Sequence, residues 1–187
     1  MTLNVSPETF KRAIMALKAG KIIAYPTEGV YGLGCDPHNE NAVMKILQLK
    51  DRPVAKGLIL IAASIEQIKP YIGELSTEQW SKLKETWPGA TTWVVPKSDK
   101  VPAWISGAFD TVAVRVTDHP VAKTLCQNFG DALVSTSANK AAEPPLVDNL
   151  GVYHAFGEAI DYIVPGRIGN EGKPTTIIDL LSGETLR

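Results

Sequence analysis

The chain has 187 residues, 44% of them hydrophobic and 21% charged, so its composition predicts one globular domain over residues 1–187. A formal net charge of −1 argues against a protein that coats nucleic acid through bulk charge, although a local basic site remains open. With two cysteines, no signal peptide and no apolar run longer than a strand, we expect a cytoplasmic protein without a disulfide framework or a membrane span.

Helices and strands are predicted to alternate in the first part of the chain. A helix begins at Ser6, where a serine precedes a proline and a run of apolar residues at helical spacing. The segment “KIIAYPT” predicts a buried strand ending at Pro26, and “EGVYGLGCDP” predicts a glycine-rich loop. A second helix is expected up to Lys50, because a proline three residues later prevents it from continuing.

The remaining elements begin with a strand “GLILIAA” and two capping boxes, Ser64 with Gln67 and Ser76 with Gln79, each of which opens a helix. The later elements are expected to be the strands “ATTWVVP” and “TVAVRV”, the helix “PVAKTLCQNFG”, the strand “ALVSTSAN”, a helix near Tyr153 to Phe156, and two strands within “TTIIDLLSGETLR”. Because elements alternate first and strands then crowd together, we predict an α/β fold with a mixed parallel and antiparallel sheet flanked by helices.

Three cations, Lys50, Arg52 and Lys56, lie at the junction between the second helix and the strand “GLILIAA”. A lysine in the last turn of a helix gains roughly 0.3–1 kcal/mol from the helix dipole, so Lys50 alone fits a solvated helix end. A turn that Pro53 stiffens and that presents several cations also suits an anion with several oxygens, such as a phosphate chain. Both interpretations remain open from this segment alone.

Polar groups follow the apolar residues “ALV” of a later strand. Ser135, Thr136, Ser137 and Asn139 place hydroxyls and an amide at the carboxyl end of that strand, where α/β sheets usually bind ligands. The alternative is an ordinary polar turn.

Arg115 interrupts the apolar alternation of the strand “TVAVRV”. A buried or half-buried arginine needs a partner, which is either an internal carboxylate or the carboxylate of a ligand. The three histidines lack metal-ligand spacing and no Ser-His-Asp motif is present, so we expect no metal site and no protein nucleophile. Recognition of anions and polar groups without a nucleophile suits phosphoryl or nucleotidyl transfer.

Seven segments, in this order, resemble the YrdC-like family, the threonylcarbamoyl-AMP synthases, in its short single-domain form: “YPTEGVYGLG”, “LKDRP”, “GLILIA”, “WPGATTWVV”, “VAVRVTDHP”, “VSTSAN” and “PTTIID”. The resemblance runs from about Ile23 to Arg187. It implies a twisted α/β sheet with a concave, positively charged cavity.

The resemblance also implies an activity. Members combine L-threonine, bicarbonate and ATP into threonylcarbamoyl-adenylate and pyrophosphate, with Mg²⁺ accompanying ATP. Separate partner proteins then move the threonylcarbamoyl group onto an adenosine beside the anticodon of certain tRNAs.

Matching motifs assign roles to ten residues. Lys50 and Arg52 would be catalytic, holding the triphosphate and stabilising charge during the transfer. Threonine would be placed by Thr27, Arg115, Ser135 and Thr175. The nucleotide would also contact Thr111, Ser137, Asn139 and Arg187.

Two other functions remain to be weighed. One is a non-catalytic module that binds tRNA or double-stranded RNA through the same basic cavity, and the other is a carbamoyl-transfer domain acting on a different acceptor. Direct contact with tRNA is left open by the sequence. Gly29, and Lys140 to Ala142 after “SAN”, depart from the family pattern.

Overall fold

A mixed eight-stranded sheet with helices on both faces forms the fold of the described residues, which are 5–141, 143–169 and 172–187 of this computed structural model. The helices are α1 (Pro7–Lys18), α2 (Glu40–Leu49), α3 (Ile65–Ile68), α4 (Thr77–Thr86), α5 (Ala103–Ser106), α6 (Pro120–Phe129) and α7 (Asn149–Phe156). The strands are β1 (Ile23–Pro26), β2 (Tyr31–Gly34), β3 (Ile59–Ala62), β4 (Thr91–Pro96), β5 (Thr111–Val116), β6 (Leu133–Ser137), β7 (Tyr162–Ile163) and β8 (Thr176–Asp179). None of these helices is long and apolar enough to cross a membrane.

The strands follow the order β7-β1-β2-β6-β3-β5-β4-β8 across the sheet. The pairs β1–β7, β3–β5 and β4–β8 are parallel, and the pairs β1–β2, β2–β6, β3–β6 and β4–β5 are antiparallel. The predicted α/β fold with a mixed sheet is therefore confirmed.

Side-chain caps fix the starts of several helices, each contributing typically about 1 kcal/mol. Ser6 caps α1 as predicted, and Ser76 and Gln79 form a complete capping box before α4. Before α3 the side chain of Gln67 accepts a hydrogen bond from the N–H of Ala63, so only half of the predicted box forms.

The segment that the sequence predicted as a glycine-rich loop contains β2, so that prediction was wrong. A Cβ on Gly34 would lie 2.5 Å from the carbonyl oxygen of Val134 and 2.7 Å from the ring of Tyr25. The glycine therefore allows Tyr25 and the neighbouring strand to approach β2 closely, and it does not mark a turn.

Apolar side chains cover both faces of the sheet. On one face α1 and α6 pack through residues that include Phe10, Leu17 and Leu125. On the other face the larger cluster includes residues of α2, α4 and α7, such as Ile46 and Leu83. The strands β1, β2 and β3 between them are buried almost throughout, as the continuous apolar run of β3 predicted.

The two strands predicted near the end of the chain form only in part. β8 is a strand, whereas the segment that returns alongside it contributes an isolated bridge between Ile178 and Thr185. The short helix α5 was not predicted. Its four residues, Ala103–Ser106, are too few to show helical periodicity in the sequence.

Antiparallel pairing places the carboxyl end of β6 beside the amino ends of β3 and β5. Ile59, the first residue of β3, pairs with Ser135 on one side and with Ala113 on the other. The cationic segment leads directly into β3, so the topology brings the two candidate motifs to one edge of the sheet.

Candidate active site

Two cavities adjoin at this edge, with volumes of about 620 Å³ and about 30 Å³. Both are lined by Ile59, Thr136, Ser137 and Arg187, which therefore form a shared wall. The first, called the large cavity, is also lined by Lys50, Arg52, Thr111 and Asn139. The second, called the small pocket, is also lined by Thr27, Arg115, Ser135 and Thr175.

The structure thus brings together all ten residues that the resemblance singled out. The four expected to place threonine line the small pocket, and the six expected to contact the nucleotide line the large cavity. Their individual roles remain predictions. The four residues expected to place threonine line only the small pocket, whereas Ser137 and Arg187 of the nucleotide group lie on the wall that both compartments share.

Lys50 is buried at the end of α2 with 6% of its surface exposed, so the interpretation of this lysine as a solvated helix end was wrong. Its Nζ donates to the carbonyl oxygen of Ser137, to that of Asn139 (2.8 Å) and to Oδ1 of Asn139 (3.3 Å). Burial, and then the neighbouring charge of Arg52, lower the pKa of Lys50 to about 8. The lysine therefore joins the K-x-R segment, Lys50 to Arg52, to the S-x-N segment, Ser137 to Asn139.

Arg52 is held by the backbone of the turn that follows it. Its Nε and Nη2 donate to the carbonyl oxygen of Gly57 at 3.2 and 3.0 Å. Burial lowers the pKa of Arg52, although a guanidinium stays charged at neutral pH. Gly57 has a φ of 64°, and a Cβ at this position would lie 3.1 Å from the carbonyl oxygens of Ile105 and Ser106, so this bracing turn is itself packed against α5.

The residues after β6 form a hydrogen-bonded turn rather than an extended tail. The hydroxyl of Ser137 donates to Oδ1 of Asn139 (2.6 Å), and Nδ2 of Asn139 donates to the carbonyl oxygen of Glu143 (2.8 Å). Lys140 and Ala141, part of the departure from the family pattern, line the large cavity, and Ala142 lies outside the described residues.

Arg115 has internal partners on two sides. Its Nη1 donates to Oγ1 of Thr175 (2.7 Å) and of Thr92 (3.4 Å), and its Nη2 lies 3.4 Å from Oε2 of Glu28. The internal carboxylate that the sequence left as one alternative is therefore present. Because Arg115 also lines the small pocket, a ligand carboxylate remains compatible with this arrangement.

Arg187 lies at the junction of the two compartments. Its Nε donates to the carbonyl oxygen of Thr175 at 3.2 Å, which holds the side chain along the shared wall. Burial lowers the pKa of Arg187, and the charges of Arg115 and Arg52 lower it further. Three guanidinium groups thus act on one region of the site.

Positive charge predominates in the lining of the large cavity, which includes Lys50, Arg52, Lys56, Lys140 and Arg187 against Asp51 and Asp179. The sequence did not single out Phe109, which lines the same cavity, or Glu28, which pairs with Arg115. Of these two residues, only Glu28 could have been identified from the sequence, because it is a carboxylate directly after Thr27 in a segment with few other charges.

Gly29, the other departure, lies where a side chain has no room. A Cβ at this position would overlap the carbonyl oxygen of Lys173. The loop between β1 and β2 therefore packs backbone to backbone against the segment that leads to Thr175, which lines the small pocket.

Comparison with known proteins places this architecture among described relatives. A family model with the description “Telomere recombination”, that of Sua5, YciO and YrdC, matches residues 15–187. A threonylcarbamoyl-AMP synthase of Vibrio campbellii is 49% identical over 182 residues, which cover 96% of this chain and 98% of that protein.

Solved structures agree with the sequence relatives. P. abyssi Sua5 complexed with L-threonine has a TM-score of 0.86 at 37% identity, covering 91% of this chain and 50% of that one. This chain therefore spans about half the length of Sua5. E. coli YciO has a TM-score of 0.88 at 24% identity, covering 97% and 89% of the two chains, which shows a shared fold. Because the family model covers most of the chain and relatives match at nearly half identity, the chain belongs to the Sua5/YciO/YrdC family.

Proposed function

We propose that this protein is a threonylcarbamoyl-AMP synthase, which converts L-threonine, bicarbonate and ATP into L-threonylcarbamoyladenylate and pyrophosphate. The observation that carries the proposal is the wall shared by the large cavity and the small pocket, because it lets an amino acid meet a nucleotide. The name of the Vibrio campbellii relative and the L-threonine bound to P. abyssi Sua5 support the same activity.

The proposed chemistry explains the charges of the site. The amine of threonine and bicarbonate form a carbamate with loss of water, and a carbamate oxygen then attacks the α-phosphorus of ATP while pyrophosphate leaves. Both reactants of the second step are anions, so cations must offset their repulsion and hold them in line. Lys50 and Arg52 supply these charges in the large cavity, and Arg187 supplies one at the shared wall.

Threonine is placed in the small pocket in this proposal. The guanidinium of Arg115 suits the carboxylate of the amino acid, because the two groups match as a charged, hydrogen-bonded pair. The hydroxyls of Ser135 and Thr175 lie in the same pocket and offer hydrogen bonds to the polar groups of the amino acid. Its amine then points toward the shared wall, where the carbamate forms beside the α-phosphate.

Mg²⁺ is proposed to enter with ATP as part of the substrate. This ion usually keeps several waters and binds through one or two carboxylates together with substrate phosphates. Asp51 and Asp179 line the large cavity and fit that pattern, while the described ranges hold no group of three or more potential metal ligands.

The product and its fate complete the proposal. Threonylcarbamoyladenylate is a mixed anhydride, and separate transfer proteins would deliver its threonylcarbamoyl group to an adenosine beside the anticodon of tRNA. We place the reaction in the cytoplasm, where ATP is available.

Pyrophosphate release by the purified protein tests the proposed function. ATP, Mg²⁺ and bicarbonate are supplied with L-threonine, with L-serine, with L-alanine or without an amino acid. We expect release that depends on both threonine and bicarbonate, and a product that carries label from ¹³C-bicarbonate.

Other outcomes separate the alternatives. RNA binding that falls steeply with salt, together with no ATP turnover, would favour the RNA-binding module. Turnover of ATP with bicarbonate that does not respond to threonine would favour a carbamoyl-transfer domain with another acceptor.

A further inference from the structure

The loop between β1 and β2 carries a carboxylate, that of Glu28, which is largely but not fully buried and lines neither cavity. Glu28 has a side chain that is 12% exposed, and it lies behind Arg115, whose side chain is 4% exposed. We infer that Glu28 is a positioning residue for threonine, acting through the guanidinium of Arg115. This inference rests on the proposed function and adds a residue to its amino-acid site.

Three contacts fix the Glu28 carboxylate. Oε1 accepts hydrogen bonds from the hydroxyl of Thr117 (2.6 Å) and from the backbone N–H of Asp118 (3.1 Å). Oε2 faces Nη2 of Arg115 at 3.4 Å. Arg115 lies near the end of β5, and Thr117 follows this strand directly. One segment of the chain therefore supplies both a hydrogen bond that holds the Glu28 carboxylate and the arginine that this carboxylate orients.

The guanidinium of Arg115 is therefore held between two fixed groups. Glu28 contacts Nη2 from one side, and the hydroxyls of Thr175 and Thr92 accept from Nη1 on the other. An arginine side chain has several rotatable bonds, so fixing it in advance reduces the entropy lost when a carboxylate binds. Thr175 itself lines the small pocket, so its hydrogen bond holds the guanidinium of Arg115 at the wall of that pocket.

The charge of Glu28 matters as well as its shape. Burial alone would raise the pKa of Glu28, but the charge of Arg115 and the hydrogen bond from Thr117 outweigh it and hold the pKa below its usual value. The carboxylate is thus ionised at neutral pH. It offsets the cost of burying the Arg115 guanidinium close to the further cation Arg187.

The same residue ties its loop to the sheet. Thr27, the neighbouring residue, lines the small pocket, and its hydroxyl donates to the carbonyl oxygen of Val30 (2.7 Å). The contacts of Glu28 with Thr117 and Asp118 hold that loop against the end of β5. Glu28 therefore contacts one lining residue of the small pocket, Arg115, and anchors the loop that carries another, Thr27.

Glu28→Gln tests the inference because it keeps the size of the side chain and removes its charge. We expect the threonine Kd, measured by calorimetry, and the threonine KM to rise at least about tenfold, with the ATP KM changed less than about twofold. Glu28→Asp keeps the charge and is expected to recover part of the threonine affinity. Equal threonine affinity in Glu28→Gln and the wild-type protein would overturn the inference.

A matched control and a double variant separate positioning from general stability. Asp161 also accepts a backbone N–H, that of Ile22, and pairs with Lys45 at 3.3 Å, but it lines neither cavity. Asp161→Asn is expected to leave the threonine KM unchanged. If Glu28 acts through Arg115, adding Glu28→Gln to Arg115→Met produces no further loss of threonine affinity, whereas additive losses would contradict that route.

Failure of the inference is distinguishable from failure of the proposed function. Wild-type protein that neither binds threonine nor releases pyrophosphate would remove the proposed function and the inference together. Wild-type protein that does both, accompanied by a Glu28→Gln variant that folds and keeps full threonine affinity, would remove the inference alone. Circular dichroism and the Tm of each variant establish that it is folded before its affinity is compared.

Discussion

Lys50 and Asn139 are 89 residues apart in the sequence, yet Nζ of Lys50 lies 2.8 Å from the carbonyl oxygen of Asn139 and 3.3 Å from its Oδ1. The contact joins the segment after α2 to the turn after β6. It thereby fixes the position of the K-x-R segment relative to the S-x-N segment. The ammonium therefore holds the turn in place while it contributes positive charge to the large cavity.

Removal of either Lys50 or Arg52 is expected to reduce turnover strongly. Lys50→Ala and Arg52→Ala should each lower kcat/KM for ATP by roughly 100-fold or more, since each removes a preorganised charge from the proposed reaction centre. Pyrophosphate release measures the loss, and circular dichroism checks the fold. Lys82→Ala, on the exposed face of α4, is the control and should retain full activity. Normal turnover in a double variant of Lys50 and Arg52 would refute the assignment.

The activity should also depend on pH through Lys50. In the free protein this lysine has a pKa of about 8, so it is charged below that pH and neutral above it. We expect kcat/KM for ATP to fall above pH 8, approaching about tenfold per pH unit. In Lys50→Arg the guanidinium stays charged, so the profile should flatten even though the overall rate is lower. Identical profiles in the two proteins would show that Lys50 does not cause the fall.

Arg115 is expected to affect threonine more than ATP. Arg115→Lys keeps a positive charge but loses the planar pair of donors that faces Thr175 and Glu28. The threonine KM should rise about tenfold or more, while the ATP KM changes little. Steady-state kinetics with each substrate varied in turn measures both values. A larger rise in the ATP KM than in the threonine KM would contradict the assignment of Arg115 to the threonine site.

Two glycines of β2 offer a test of the fold. Gly34→Ala should lower the free energy of unfolding by about 1–3 kcal/mol, because the added methyl group meets the Val134 carbonyl and the Tyr25 ring. Gly32→Ala is the matched variant in the same strand, with its nearest atom, Oγ of Ser135, at 3.3 Å. It should cost less, since a side chain moves more easily than a backbone. Chemical denaturation compares them, and equal stability of both variants and wild type would contradict this packing.

The stability of the protein should fall at mildly acidic pH through His119. Burial lowers the pKa of His119, although the hydrogen bond to the carbonyl oxygen of Arg167 opposes it. As pH falls through about 6.5, the unfolded chain therefore binds a proton that the folded protein does not, and the free energy of unfolding decreases. Denaturation above and below that pH measures the change. His119→Gln should show a shallower dependence, and an unchanged slope would exclude His119 as its source.

Much of this fold was predictable because local signals agree with the tertiary structure. Ser6 precedes an apolar face and caps α1, and the continuous apolar residues of β3 lie between two covered faces. The glycines of β2 could not be interpreted in this way. Gly34 lacks a side chain because Tyr25 and Val134 approach it, and no local pattern encodes such a contact.

The candidate site was likewise predictable only in part from the sequence. The cations and polar residues were identified by motif, but their sorting into two compartments depends on the antiparallel pairing of β3 and β6. The contact of Arg115 with Glu28 joins residues 87 positions apart in the sequence, so only the fold could supply the partner. Sequence patterns thus singled out residues that the fold brings to two adjoining cavities, while the three-dimensional structure was needed to show what they contact.

The central claim is that threonine occupies the small pocket and ATP the large cavity, on either side of a shared wall. A crystal structure with L-threonine and a non-hydrolysable ATP analogue tests it most directly. We predict the threonine carboxylate on Arg115, the triphosphate beside Lys50 and Arg52, and the threonine amine facing the α-phosphate at the wall that includes Ser137 and Arg187. Threonine bound away from Arg115, or a triphosphate outside the large cavity, would contradict the account.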